Sequence, residues 1–224
     1  MKESVSSFLS NVLSVILGIA ITFAVQGMID RSRDRKDVRS ALELVRSELQ
    51  SNVRDIGIMA DYLRQERASA QYLLDHRKTL DRCPQDSVDY HSGIIFADAS
   101  ITVSCDALEL LKMSSLFQKI GDGILSMKII RAYDTCSSVV SNLNRHVTVR
   151  NAQFERSITE KTAGQFASSG VIDVRDYVKT GIGLYALRWL ATQADVENYS
   201  DVSDLEEAIR AIDRYMGGRR NQKK

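Results

Sequence analysis

One proline, Pro84, and one tryptophan, Trp189, occur in 224 residues. Proline breaks helix interiors and glycine weakens them, and glycine too is sparse beyond the first thirty residues, so the chain reads as mostly helical. Charge of either sign is missing between Glu3 and Asp30. The net charge of +1 excludes a general nucleic-acid binder, which carries a clear basic excess. Three cysteines, Cys83, Cys105 and Cys136, cannot close into a fully paired disulfide framework. There is no phosphate-cradling GxxxxGK(S/T) loop, no GxGxxG turn after a strand, and no HExxH, CxxC or GxSxG. Low-complexity linkers and internal repeats are absent too. These absences point away from an enzyme and from any bound cofactor or metal, and no catalytic residue is expected.

The charge-free stretch contains SFLSNVLSVILGIAITFAVQGMI. A spanning helix takes roughly 20 mainly apolar residues, and Leu9–Met28 supplies them. A cleaved signal peptide is the competing reading, but its apolar region is shorter and its flank more basic. The expected organisation is a short tail and transmembrane helix over 1–29, a helical domain over 30–216 and a basic tail over 217–224. Arg31, Arg33, Arg35, Lys36 and Arg39 follow the span, against Lys2 before it. Basic residues close to a span stay on the cytoplasmic side, so the domain is expected to face the cytoplasm from the inner membrane. With the opposite orientation, a Cys83–Cys105 bridge stays open. Ala20 and Ala24 are spaced to let a second span approach closely.

Behind the span the apolar positions step by four and three: Val38, Leu42, Val45, Leu49, Asn52, Ile56, Met59, Leu63, Glu66, Ala70, Leu73. That heptad seam predicts one long helix packed along its length, continuous with the span. Asn52 is the polar member; it either fixes register and partner number or faces a gap or a water. Glu66 is expected where the seam opens to solvent. Pro84 breaks the helix. Val88–Cys105, with GIIFADASITVSC, is expected to be an irregular loop over the end of the bundle, a short strand pair being the alternative.

Asp106 is placed to cap a helix. Two short helices, 107–112 and 115–120, then lead through Gly121-Asp122-Gly123 into a long helix from Ile124 to about Thr162. Its seam is Ile129, Tyr133, Cys136, Val140, Leu143 and Val147, and antiparallel pairing with Val38–Leu73 would bury both stripes. A further helix is expected over 174–198, with Tyr177, Val178, Gly181, Leu184, Tyr185, Arg188 and Trp189 on one face. Trp189 is either a core residue or an anchor for a partner. Ser203 and Glu206 form a capping box for a last helix with the stripe Leu205, Ala208, Ile209, Ile212, Tyr215 and Met216. His76, His91 and His146 stand apart in sequence, without metal-ligand spacing. Asp98 and Asp106 flank the irregular segment within reach of His91.

Glu48, Leu49 and Asn52, and then Leu108, Leu111, Ser114, Ser115, Leu116, Ile120, Leu125, Ile129, Ile130 and Tyr133, carry a resemblance. The first 140 residues resemble an uncharacterised family of single-pass proteins common in the Bacteroidota, catalogued as a domain of unknown function. That family has a basic patch after its span, an ELxxN-like element, and a pattern close to YxxLxxSGxLxxIxxxxLxxxIxxYY. Ser115 stands where the family tends to have glycine. The resemblance implies a helical bundle on a membrane anchor and no known activity.

The expectation is therefore an all-α, membrane-anchored scaffold, adaptor or sensor subunit working through protein–protein contacts. Its partners would be the bilayer and a second copy or another membrane protein. Two alternatives stand beside it: a ligand-sensing bundle with a pocket near Tyr133, Tyr177 and Tyr185, and a membrane-acting effector of a defence or toxin system.

Overall fold

A computed structural model describes residues 2–158, 163–164, 172–192 and 200–218, with the backbone alone for 2–21, 23, 24 and 27. Helix α1 runs unbroken over Lys2–Asp75. Every seam position from Val38 to Leu73 is buried, Asn52 and Glu66 included. Each buried Leu or Ile stabilises by roughly 1.5–3 kcal/mol, so the seam, more than helix propensity, stabilises α1 over this stretch. Among the described residues no helix is long and apolar enough to cross a membrane. The expected span Leu9–Met28 falls mostly on residues whose side chains lie outside that description, as do Ala20 and Ala24.

After α1 the chain passes through a 3-10 turn, Leu80–Arg82, into α2 (Gln85–Phe96). Pro84 has no N–H to lose, and its carbonyl accepts from the amides of Ser87 and Val88. The expected loop over 88–105 is thus helical in its first half. Val88 and Ile95 lie seven residues apart on one helical face and are buried against the far end of α1. That burial overrides the β-branched propensity of GIIFADASITV. Only 97–105 is irregular, and no strand occurs among the described residues.

Helices α3 (Asp106–Met113) and α4 (Leu116–Lys119) carry the chain back down α1. Between them Ser115 adopts φ 58°, the left-handed conformation that glycine takes without strain. Serine takes that conformation here at a cost. Helix α5 (Gly123–Ser157) begins after Gly121 at φ 67°, with Asp122 Oδ1 accepting from the Leu125 amide at 3.0 Å. Residues 159–162, onto which α5 was expected to extend, lie outside the described residues.

The expected antiparallel pairing of α1 and α5 is overturned. Along α5, Tyr133 bonds Glu48 and Arg150 pairs with Glu66. Numbers rise together along both helices, so α1 and α5 are parallel. The return path is made by α2, the 97–105 segment, α3 and α4, which deliver the chain to the bottom before α5 starts.

Helices α6 (Val174–Tyr177) and α7 (Gly181–Thr192) replace the single helix expected over 174–198. Thr180 interrupts it: its Oγ1 accepts from the Gly183 amide at 2.9 Å and its carbonyl from Leu184. Gly183 is needed at this turn, because a Cβ there would stand 2.3 Å from the Tyr177 carbonyl oxygen. The break rotates the buried face onto Gly183, Ala186, Leu187 and Leu190, leaving Tyr185 and Arg188 exposed. Residues 193–199 lie outside the described residues.

Helix α8 (Ser203–Gly218) buries Leu205, Ala208 and Ile212, with Ile209, Tyr215 and Met216 half-buried beside them. It starts one residue before the expected box allows: Asp201 accepts from the Ser203 amide at 2.9 Å. Thr135 bonds Asp204, Lys128 pairs with Glu207 and Arg46 with Asp213, so α8 descends antiparallel to both α1 and α5.

Candidate functional site

Two apolar cores stack along α1. The lower runs over its Val38–Leu63 stretch with α3, α5 and α8; the upper begins at Ala70 with α2, α6 and α7. Between the parallel α1 and α5 lies the irregular segment, which descends past both and presents unpaired backbone N–H and C=O groups. Buried groups of that kind need partners, and side chains of α1 and α5 provide them. Tyr62 Oη donates to the carbonyls of Ile94 (3.0 Å) and Ala97 (3.3 Å). Arg150 donates to the carbonyls of Ile95 (2.8 Å) and Ala97 (2.7 Å). Asn144 binds both backbone groups of Ile101, through its Nδ2 to the carbonyl at 3.0 Å and its Oδ1 from the amide at 3.4 Å. Asn52 does the same for Ser104, at 2.8 and 3.2 Å.

Glu48 completes the strap. Its Oε2 accepts from Ser104 Oγ at 2.5 Å and from the Ala107 amide at 3.1 Å, while Oε1 accepts from Tyr133 Oη. It thereby takes the α3 capping role expected of Asp106, because a carboxylate at a helix start satisfies free N–H groups and favours the helix dipole. Burial, followed by the bond to Glu48, pushes the Tyr133 hydroxyl far above its ordinary value. Burial also pushes the Cys136 thiol up to about 11, with Glu48 adding to it. A thiol held protonated is unreactive at neutral pH, which agrees with Cys136 as a seam residue.

Glu66 does not meet solvent. It is 1% exposed and faces Arg150, 2% exposed, with Oε1 2.5 Å from Nε. These two atoms satisfy one another as an ion pair, off the line of a hydrogen bond. His146 Nε2 approaches Glu66 at 3.9 Å, and its ring stacks on half-buried Trp189 at 5.5 Å. Trp189 thus covers the outer side of the buried pair at the junction of the two cores.

Of the positions singled out in the sequence, Asn52 joins this groove, and its role differs from both readings: it reads Ser104 of its own chain. Asn144 and Arg150 were missed, Glu48 was named only within the ELxxN element, and Glu66 was expected at a solvent-exposed end where the structure buries it. Glu48 and Asn52 both stand in the ELxxN element, and their shared face of α1 was the available signal. The three tyrosines of the expected pocket do not converge. Tyr133 lies in the lower core, Tyr177 in the upper core against Ser157, and Tyr185 is exposed. His76 and His91 both stack on Tyr72, at 4.2 and 4.0 Å. His91 bonds Ser69 at 3.0 Å, in place of the Asp98 or Asp106 that the sequence put within its reach. Burial, then His76, lowers the His91 pKa. Among the described residues no group of His, Cys, Asp and Glu is arranged to hold a metal.

The cysteines are free. Cys83 bonds the Thr79 carbonyl beyond the top of α1, whereas Cys105 adjoins Ser104, at the level of Asn52. Some twenty residues of α1 separate these levels, roughly 30 Å of helix, against the 7 Å or so that a disulfide permits between Cα atoms. A Cys83–Cys105 bridge is excluded in this fold. Comparison with protein-family models, with curated proteins and with solved structures finds no match.

Proposed function

We propose that this chain is a membrane-anchored helical module that works through protein–protein contact, as a scaffold, adaptor or sensor subunit, without chemistry of its own. The observation that carries this reading is α1. Its described side chains at 22, 25, 26 and 28–33 are exposed and the first buried one is Val38, so the helix leaves the domain ahead of that residue. Val25, Met28 and Ile29 stand exposed on that projection. Apolar side chains on a projecting helix want an apolar partner, and the uncharged sequence before them suits a bilayer. The basic residues 31–39 favour a cytoplasmic domain.

The interior polar groups support the non-enzymatic part. Glu48, Asn52, Asn144 and Arg150 are committed to the backbone of the strap, which leaves them little to offer a substrate. No specific geometry favours the ligand-sensing alternative. In-membrane crosslinking of the full chain tests the proposal: a copy of itself or a defined membrane protein is expected in the adduct. A chain that stays monomeric and captures nothing contradicts it.

A further inference from the structure

Both ends of the domain return to one pole. Lys119 Nζ lies 2.8 Å from Asp34 Oδ1, so the α4 end sits where α1 leaves the bundle. Tyr215 Oη donates to the Ile120 carbonyl at 2.6 Å, bringing the last turn of α8 to the same place. There an open cleft of about 780 Å³ is lined by the 121–124 turn, Arg214, Tyr215 and Gly218. Ile124 on its rim is 73% exposed. Beyond Gly218 the sequence is Arg219, Arg220, Asn221, Gln222, Lys223, Lys224, with four cations and no acid. Residues 30–39 add five basic and three acidic side chains around α1. Asp122 lines the cleft and Asp34 is taken by Lys119, so the cationic excess comes from the α1 collar and the C-terminal residues.

We propose that this pole docks on anionic phospholipid headgroups of the leaflet next to Met28, as a second membrane contact besides the span. The inference rests on the membrane-anchored reading above. Distance permits it. From Met28 to Asp34 is about 9 Å of helix, and the headgroup layer occupies roughly the first 5–8 Å beyond the hydrocarbon. Six residues past Gly218 reach up to about 20 Å, which carries Lys223 and Lys224 to the surface, while the backbone of Arg219 and Arg220 stays within about 7 Å of Gly218. Lys and Arg near an anionic surface are attracted within about a Debye length. The contact would hold the domain against the leaflet at two points and fix its tilt.

The test uses the full chain in bilayer nanodiscs of phosphatidylcholine alone and of phosphatidylcholine with phosphatidylglycerol. Hydrogen exchange is followed at the 120–123 turn and over 210–218. Exchange several-fold slower in the anionic discs is expected. High salt, or Arg219→Gln, Arg220→Gln, Lys223→Gln and Lys224→Gln combined, should remove the difference. Equal exchange in both lipids, with the chain resisting carbonate extraction, overturns the headgroup contact and leaves the anchor standing. A chain that carbonate washes from the bilayer overturns both.

Discussion

Glu66 and Arg150 set the energetics of the interior at the scale of single residues. Two charges removed from water are stable only as a pair with their remaining groups satisfied, and Arg150 meets that condition through the carbonyls of Ile95 and Ala97. Arg150→Met or Glu66→Met alone is expected to cost about 3–5 kcal/mol, because the partner stays buried and uncompensated. The double substitution should recover the part owed to the uncompensated charge but not the part owed to the Ile95 and Ala97 carbonyls, which stay unpaired, and urea unfolding of the four proteins closes the cycle. Additive losses would mean the pair does not act as a unit. The buried tyrosines set a pH limit of their own. Burial pushes Tyr177, against an opposing bond from Ser157, up to about 12 from an ordinary 10.0, and raises Tyr133 further. A raised folded pKa favours the neutral form, so this stability is complete below pH 10 and is lost as pH climbs toward 12. Melting temperature should fall across that window, less steeply in Tyr177→Phe. Phenolate absorbance from all the tyrosines near pH 10, with the fold intact, would contradict it.

At the scale of elements, the 97–105 strap explains why two parallel helices pack with so little direct contact. It fills the groove between them and takes Asn52 of α1 and Asn144 and Arg150 of α5 as ligands of its backbone. Asn52→Ala or Asn144→Ala leaves a buried amide and carbonyl unpaired, at about 1–3 kcal/mol each. Hydrogen exchange should then accelerate at Ser104 or at Ile101, the residue each asparagine holds, while the α1 amides keep their protection. Uniform acceleration along the whole chain would show that the strap is no separate unit. Both long helices and their buried faces were legible in the sequence, because heptad stepping follows directly from side-chain burial. Helix direction was not legible. A seam records that a face is covered, not by what, and α1 is covered mainly by α7, α2 and α8. Glu66 shows the same limit: one carboxylate on a seam looks like an exposed end until its counter-charge, 84 positions away, is placed beside it. The helix break at Thr180 escaped for a local reason, since a threonine cap and a glycine forced by one close carbonyl leave no periodic trace.

At the scale of the whole molecule, the claim on which the proposed function depends is that α1 is one rigid rod, joining the apolar N-terminal segment to the core of the domain. A joint near the basic collar would leave the domain loosely tethered; a continuous helix makes the segment and the domain move as one body. Met28 and Ile58 are exposed and lie on either side of the collar. Spin labels at these two positions, in the full chain reconstituted into bilayers with its native cysteines replaced, measure that continuity by pulsed electron spin resonance. Thirty residues of unbroken helix predict a single narrow distance distribution centred at about 45 Å. A broad distribution, or a principal distance well short of that value, would contradict the account.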